Sequence, residues 1–218
     1  MADATSRKFM VDGQLRPNKV TDARLLAAMG RLPRENFVPA ASRARAYADD
    51  AVPLPGGRGM MSPMVLARLI QAAAPALGES ALVVGAGTGY AAAVLADLGL
   101  VVTALEEDAG LLAAAGPALA AALPGARPVL VQGSLAQGHA RGAPFDVILL
   151  DGAVAELPPA LEAQLAEGGQ LVGVLARPGQ VSTAMLGRKL SGRLFLSPIM
   201  DAAAPPLPGF VPEPGFVF

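Results

Sequence analysis

From residue 81 to residue 175 the chain alternates short, continuous apolar runs with longer Ala- and Leu-rich stretches. The apolar runs are "ALVVG" (81–85), "LVVTALE" (100–106), "RPVLVQG" (127–133), "FDVILLDG" (145–152) and "GQLVGVL" (169–175). Between them lie "YAAAVLADLG", "DAGLLAAAGPALAAAL" and "LPPALEAQLAEGG", which carry helical character. Continuous apolar strands separated by helices predict a mostly parallel sheet covered on both faces. Gly99, Gly125 and the pair Gly168-Gly169 sit where helices hand over to strands. Beyond them, "STAMLGRKL" and "RLFLSPIM" flank Ser191-Gly192 and predict a closing antiparallel hairpin. The tail "DAAAPPLPGFVPEPGFVF" holds too much proline for a central strand. Its Phe210, Phe216 and Phe218 predict that it packs along the surface.

Before residue 80 the pattern changes to helices and turns. "TDARLLAAMGRL" has Thr21 or Asp22 as an N-cap and apolar residues at helical spacing. "PRENFVPAASRARAYADDAVPLPGG" is broken by separated prolines and predicts irregular chain with one short helix. "SPMVLARLIQAAAPAL" offers Ser62 as a cap and Pro63 at the first helical position.

The chain has 218 residues, which suits one domain with a sizeable core. Hydrophobic residues make up 53% and charged residues 16%, so a packed globular protein is expected rather than a disordered one. A net charge of −1 gives no basic field for nucleic acid. With no cysteine and His139 as the only histidine, disulfides, thiolate catalysis and Cys or His metal sites are excluded. The N-terminus lacks the apolar core of a signal peptide, and charges, Gly or Pro interrupt each apolar run before it could span a bilayer. A soluble, cytoplasmic protein is the expectation.

The most informative segment is "VVGAGTGYAAAVLADLG". Gly85, Gly87 and Gly89 alternate between a strand and a helix, with Ala86 and Thr88 between them. Glycine lets the backbone turn sharply and lets a ligand approach closely. The dinucleotide fingerprint is G-x-G-x-x-G. Here the third glycine comes one residue early and Tyr90 takes its place, the spacing associated with S-adenosylmethionine sites. Glu106 ends the next strand and suits the ribose hydroxyls. Glu107 and Asp108 then begin and cap the following helix. Gly133 and Ser134, after the third strand, are placed to approach the adenine. Asp151, at the end of the fourth strand, is either a polar group for cofactor or substrate or a turn residue before Gly152. Asp146 falls at that strand's other end, and His139 reads as a surface histidine.

The order of these residues resembles the protein-L-isoaspartate O-methyltransferase family of class I S-adenosylmethionine-dependent methyltransferases. The likeness rests on "VTDARLLAAMGRLPRENFVPAASRARAYADDAVPLP", on the glycine loop and its helix, and on "APFDVILLDGAVAELPPALEAQLAEGGQLVGVL". It implies one Rossmann-like α/β domain over 1–218. In it, 1–80 forms an N-terminal helical cap with a substrate loop, and 81–218 forms the cofactor-binding core. It also implies S-adenosylmethionine as methyl donor, S-adenosylhomocysteine as product, an isoaspartyl protein or peptide as acceptor, and a role in protein repair.

One departure falls in "GGRGMMSPM" (56–64). The family carries G-x-T-I-S-x-P there, with hydroxyls that position the acceptor carboxylate. Aligned on Gly57 and Pro63, this chain has Gly59 in place of Thr and Met61 in place of Ser, with Ser62 one position late. The family's Asp after the third strand is Ser134 here. Arg58 is a candidate to pair with a carboxylate, or it is solvated; Ser62 is a candidate hydroxyl donor, or it caps the helix. Met60 and Met61 line the substrate mouth or pack the core. Two alternatives stay open: a methyltransferase with another acceptor, and a non-catalytic module that binds the cofactor or a partner.

Overall fold

The computed structural model describes residues 2–125 and 128–210. The chain starts with α1 (Ala2–Met10), which runs into a wide π-helical turn over Val11–Leu15 that buries Val11 and Leu15. The apolar pattern there is short, and sequence reading assigned no helix to it. Asp22 caps α2 (Ala23–Arg31), its carboxylate accepting from the amides of Arg24 and Leu25 at 2.8 and 3.2 Å. Instead of one short helix, the Pro-broken stretch forms two 3₁₀ turns, Arg34–Phe37 and Ala40–Arg45. A small antiparallel ribbon follows, β1 (Val52–Pro53) with β2 (Gly59–Met60). Then comes α3 (Pro63–Ala73), which ends at a left-handed Ala74 before Pro75.

The main sheet is built from β3 (Ser80–Val84), β4 (Val101–Glu106), β5 (Val129–Gln132), β6 (Phe145–Val154), β7 (Leu165–Leu175), β8 (Thr183–Leu190) and β9 (Arg193–Asp201). Its order is β5-β4-β3-β6-β7-β8-β9, parallel through β7 and then antiparallel. The helices α4 (Tyr90–Asp97), α5 (Ala109–Ala122) and α6 (Pro159–Gln164) make the crossovers. From β3 the chain winds outward through β4 to β5, then returns to the other side of β3 as β6. Strand order therefore reverses between β3 and β6, and a crevice opens beyond their carboxyl ends. No helix among the described residues is long and apolar enough to cross a membrane.

Two differences from the sequence expectation concern this half. The helix expected over "LPPALEAQLAEGG" stops at Gln164, and β7 begins at Leu165 rather than at Gly169. Buried Gln164 fixes that end: its Nε2 donates to the Gln137 carbonyl and its Oε1 accepts from the His139 amide, both at 2.7 Å. Leu165 then pairs with Phe145.

The side chains of β3 alternate between two cores. Ala81 and Val83 face the larger one, with residues of α2, α3, α4 and α5. Leu82 and Val84 face the smaller one, with Leu161 of α6 and with Leu207 and Phe210 of the tail. The tail packs against the body of the domain, with Leu207 and Phe210 buried and the residues around them exposed or half-buried. The Pro205 carbonyl accepts from Ala153 N–H at 2.7 Å, and Leu207 N–H donates to the Ala153 carbonyl at 2.8 Å. Pro206 makes an isolated parallel bridge to Ala153. Phe216 and Phe218 lie outside the described residues.

Candidate active site

The glycine loop forms because β3 must turn at once into α4. Gly85, Gly87 and Gly89 all have positive φ (77°, 55° and 97°), a conformation costly for residues with a Cβ. The amides of Gly85 and Ala86 both donate to the Leu105 carbonyl, at 2.9 and 3.0 Å, so the loop hangs on the end of β4. Glu106 closes that end from below. Its Oε2 accepts from Gly87 N–H at 2.7 Å, and its Oε1 accepts from the amides of Glu107 and Asp108 at 2.9 and 3.1 Å. Asp108 caps α5 through the amides of Gly110 and Leu111.

The carboxylate of Glu106 has a further partner. Arg58 Nη1 reaches Oε1 at 2.6 Å and its Nη2 donates to the Gly85 carbonyl at 3.1 Å. Arg58 is neither solvated nor turned toward an incoming carboxylate, because Glu106 draws it inward. Beside it, Leu207 presses on the glycine loop. A methyl group at Gly85 would come within 2.5 Å of Leu207 Cδ2, and one at Gly152 within 2.7 Å of the same atom.

Asp151 stands across the crevice, in a strand rather than a turn. β6 continues to Val154, and its pairing with β7 slips between Leu149 and Ala153, so Asp151 and Gly152 lie in a bulge. Bulges re-aim side chains beside sites. Asp151 is buried, and its Oδ1 has no hydrogen-bond partner among the described residues. Burial pushes its carboxyl up to about 7; the charges of Arg34 and Arg58 pull the other way, and Glu106 adds to the rise.

Arg34, to which sequence reading gave no role, organises the wall behind the loop. It is fully buried; Nε donates to the Ala46 carbonyl at 2.6 Å and Nη2 to the Met61 carbonyl. Its guanidinium lies 4.7 Å from the ring centre of Tyr90, which meets Phe37 edge-on at 5.5 Å. Tyr90 is thus turned into the core, and burial raises its phenol against the pull of Arg34. Thr88 Oγ1 donates to the Phe37 carbonyl, tying the glycine loop to the "PRENFVP" segment.

Gly133 N–H donates to the Glu106 carbonyl at 3.1 Å, which brings the β5 loop to the same end of the sheet. Ser134 next to it is exposed. Half-buried His139 lies in the connection before β6, away from the glycine–acid pair in sequence and held by Gln164.

The sequence profile of the protein-L-isoaspartate(D-aspartate) O-methyltransferase family matches residues 6–196. A protein-L-isoaspartate O-methyltransferase of Methylorubrum populi is 43% identical over 192 residues, covering 87% of this chain and 88% of that protein. One from Koribacter versatilis is 40% identical over 206 residues, covering 94% and 92%. The chain belongs to the protein-L-isoaspartate(D-aspartate) O-methyltransferase family. A solved protein-L-isoaspartate O-methyltransferase shares the fold with TM-score 0.81 at 23% identity, over 93% of this chain and 66% of that one. A Plasmodium falciparum structure assigned to the same family and holding S-adenosyl-L-homocysteine gives 0.75 at 20% identity, over 91% and 96%.

The segment from Gly57 to Ser62 lies mostly inside the fold. Gly57 is exposed in a turn with φ 71°. Gly59 and Met60 form β2, and Met60 and Met61 are buried in the larger core rather than lining an open mouth. Ser62 Oγ accepts from Val65 N–H at 3.4 Å and caps α3, with Pro63 at the first helical position.

A methyltransferase of this family needs room for S-adenosylmethionine beside the glycine loop. The positive-φ glycines, Glu106 and the unpartnered Asp151 oxygen suit it. At the same end of the sheet Leu207 packs over Gly85 and Gly152, and Arg58 pairs with Glu106.

Proposed function

We propose that the chain is an S-adenosylmethionine-dependent methyltransferase that esterifies isoaspartyl carboxylates in proteins or peptides. In this reading it works as one domain over residues 1–218, in cytoplasmic protein repair. The observation that carries it is the convergence of Gly85, Gly87, Gly89 and Glu106 at the β3/β6 switch point, in a chain that matches the family from residue 6 to 196. An acceptor carboxylate is already ionised at pH 7 and needs no general base. The task of the chain is then alignment of the acceptor and exclusion of water. Incubation with labelled methyl donor and an isoaspartyl peptide should yield a base-labile ester that releases methanol. Absence of that ester removes the isoaspartyl assignment.

A second reading keeps the fold and changes the acceptor. It is favoured by the loss of hydroxyls at Gly59 and Met61, with Ser62 engaged as a helix cap. Turnover on another carboxylate or hydroxyl acceptor, with none on isoaspartyl peptide, selects it. Recovery of isoaspartyl turnover by the double change Gly59→Thr and Met61→Ser also assigns the lost specificity to those two positions.

A further inference from the structure

The tail crosses the crevice on three glycines. A methyl group at Gly59 would come within 2.7 Å of Pro205 Cγ and 2.9 Å of Pro205 Cβ. Methyl groups at Gly85 and Gly152 would meet Leu207, as described, and one at Gly152 would also lie 2.7 Å from the Pro205 carbonyl oxygen. Pro205 therefore occupies the space into which a threonine at 59 would project. The departure from the family motif and the seating of the tail are one feature seen from two sides.

We propose that Pro205–Leu207 is an intramolecular plug of the cofactor crevice, that glycine at position 59 admits it, and that it withdraws when the cofactor enters. The inference rests on the cofactor reading given above. Arg58 completes the closed state, because its bond to Glu106 Oε1 at 2.6 Å occupies the carboxylate that ribose hydroxyls would use. Apart from the packing of Leu207 in the smaller core, polar bonds hold the plug sparsely. Leu207 stands among Pro205, Pro206 and Pro208, none of which has an N–H to donate. Two backbone hydrogen bonds, both to Ala153, join Pro205 and Leu207 to β6. The closed state also leaves Asp151 Oδ1 without a partner, a deficit that a cationic ligand or a rearranged Arg58 would relieve. A ligand that binds only the open form has its apparent affinity reduced by the open fraction.

The test uses the full chain and S-adenosylhomocysteine as probe, with calorimetry for affinity and amide exchange for the plug. Saturating probe should strip protection from the amides of Ala153 and Leu207. Leu207→Gly, or Leu207→Ala should the glycine variant fail to fold, should bind the probe about tenfold more tightly. Gly59→Thr should expose the same two amides without any ligand. Binding to a plug variant but not to the native chain also supports the plug. If the native chain binds the probe and both amides stay protected, the plug is wrong and the cofactor reading stands. If neither the native chain nor a folded variant binds, both fail.

Discussion

Arg58 and Glu106 form an ion pair at 2.6 Å with side chains 6% and 0% exposed, across 48 residues of chain. A buried pair that loses one partner leaves an uncompensated charge, at a cost of about 3–5 kcal/mol. The two partners are not equal here. Glu106 keeps three backbone amides after Arg58 is removed, whereas removing Glu106 strands those amides and the guanidinium together. Arg58→Met should therefore cost about 3 kcal/mol and Glu106→Ala more, in urea unfolding at pH 7. Equal costs would show that the backbone contacts of Glu106 carry no weight.

Asp151 gives the stability a pH dependence of known sign. Burial pushes its folded carboxyl up to about 7, against 3.8 for a free aspartate. Between those values the folded chain keeps a proton that the unfolded chain has released. Stability therefore falls as pH rises through that window, and the full penalty applies above it. Asp151→Asn should flatten the difference between unfolding midpoints at pH 5 and pH 8. An unchanged difference would assign the slope to other groups.

The capping residues should rank by their geometry. Asp22 accepts two amides at 2.8 and 3.2 Å, while Ser62 accepts one at 3.4 Å. Asp22→Ala should cost about 1–2 kcal/mol and Ser62→Ala about 0.5 kcal/mol in thermal or urea unfolding. A larger loss at Ser62 would mean that its hydroxyl does more than hold the start of α3.

These caps were legible in the sequence because cap and helix are neighbours, and so was the glycine–acid order, because each feature ends its own strand. Glu106 was identified from its place after an apolar run, and Gly85, Gly87 and Gly89 from their alternation. The partner of Glu106 was not legible. Arg58 lies in a ribbon whose geometry depends on β1 pairing with β2, and no local pattern encodes a contact 48 residues away. Arg34 was missed for the same reason, since its acceptors are carbonyls of Ala46 and Met61, and carbonyls have no sequence signature. The burial of Leu207 needed the sheet to exist first, because its partners are Gly85 and Gly152 on two different strand ends.

Met61 shows why the family's serine is not simply restored. Its side chain is fully buried in the larger core. Met61→Ser removes that packing and should cost about 2–4 kcal/mol, read as a shift in urea midpoint without a change in slope. A cost near zero would mean that the side chain can be replaced by water, and that the segment is looser than its burial implies.

The smaller core has an order of completion written into the chain. Leu82, Val84, Ile148 and Leu150 all precede by more than fifty residues the Leu207 and Phe210 that complete their cover. During synthesis from the N-terminus, α6 can cover part of this face through Leu161, but the part under Leu207 and Phe210 stays bare until residue 210 has left the ribosome. A chain stalled shortly before that point carries a nearly complete sheet with a bare apolar flank, the kind of intermediate that chaperones bind.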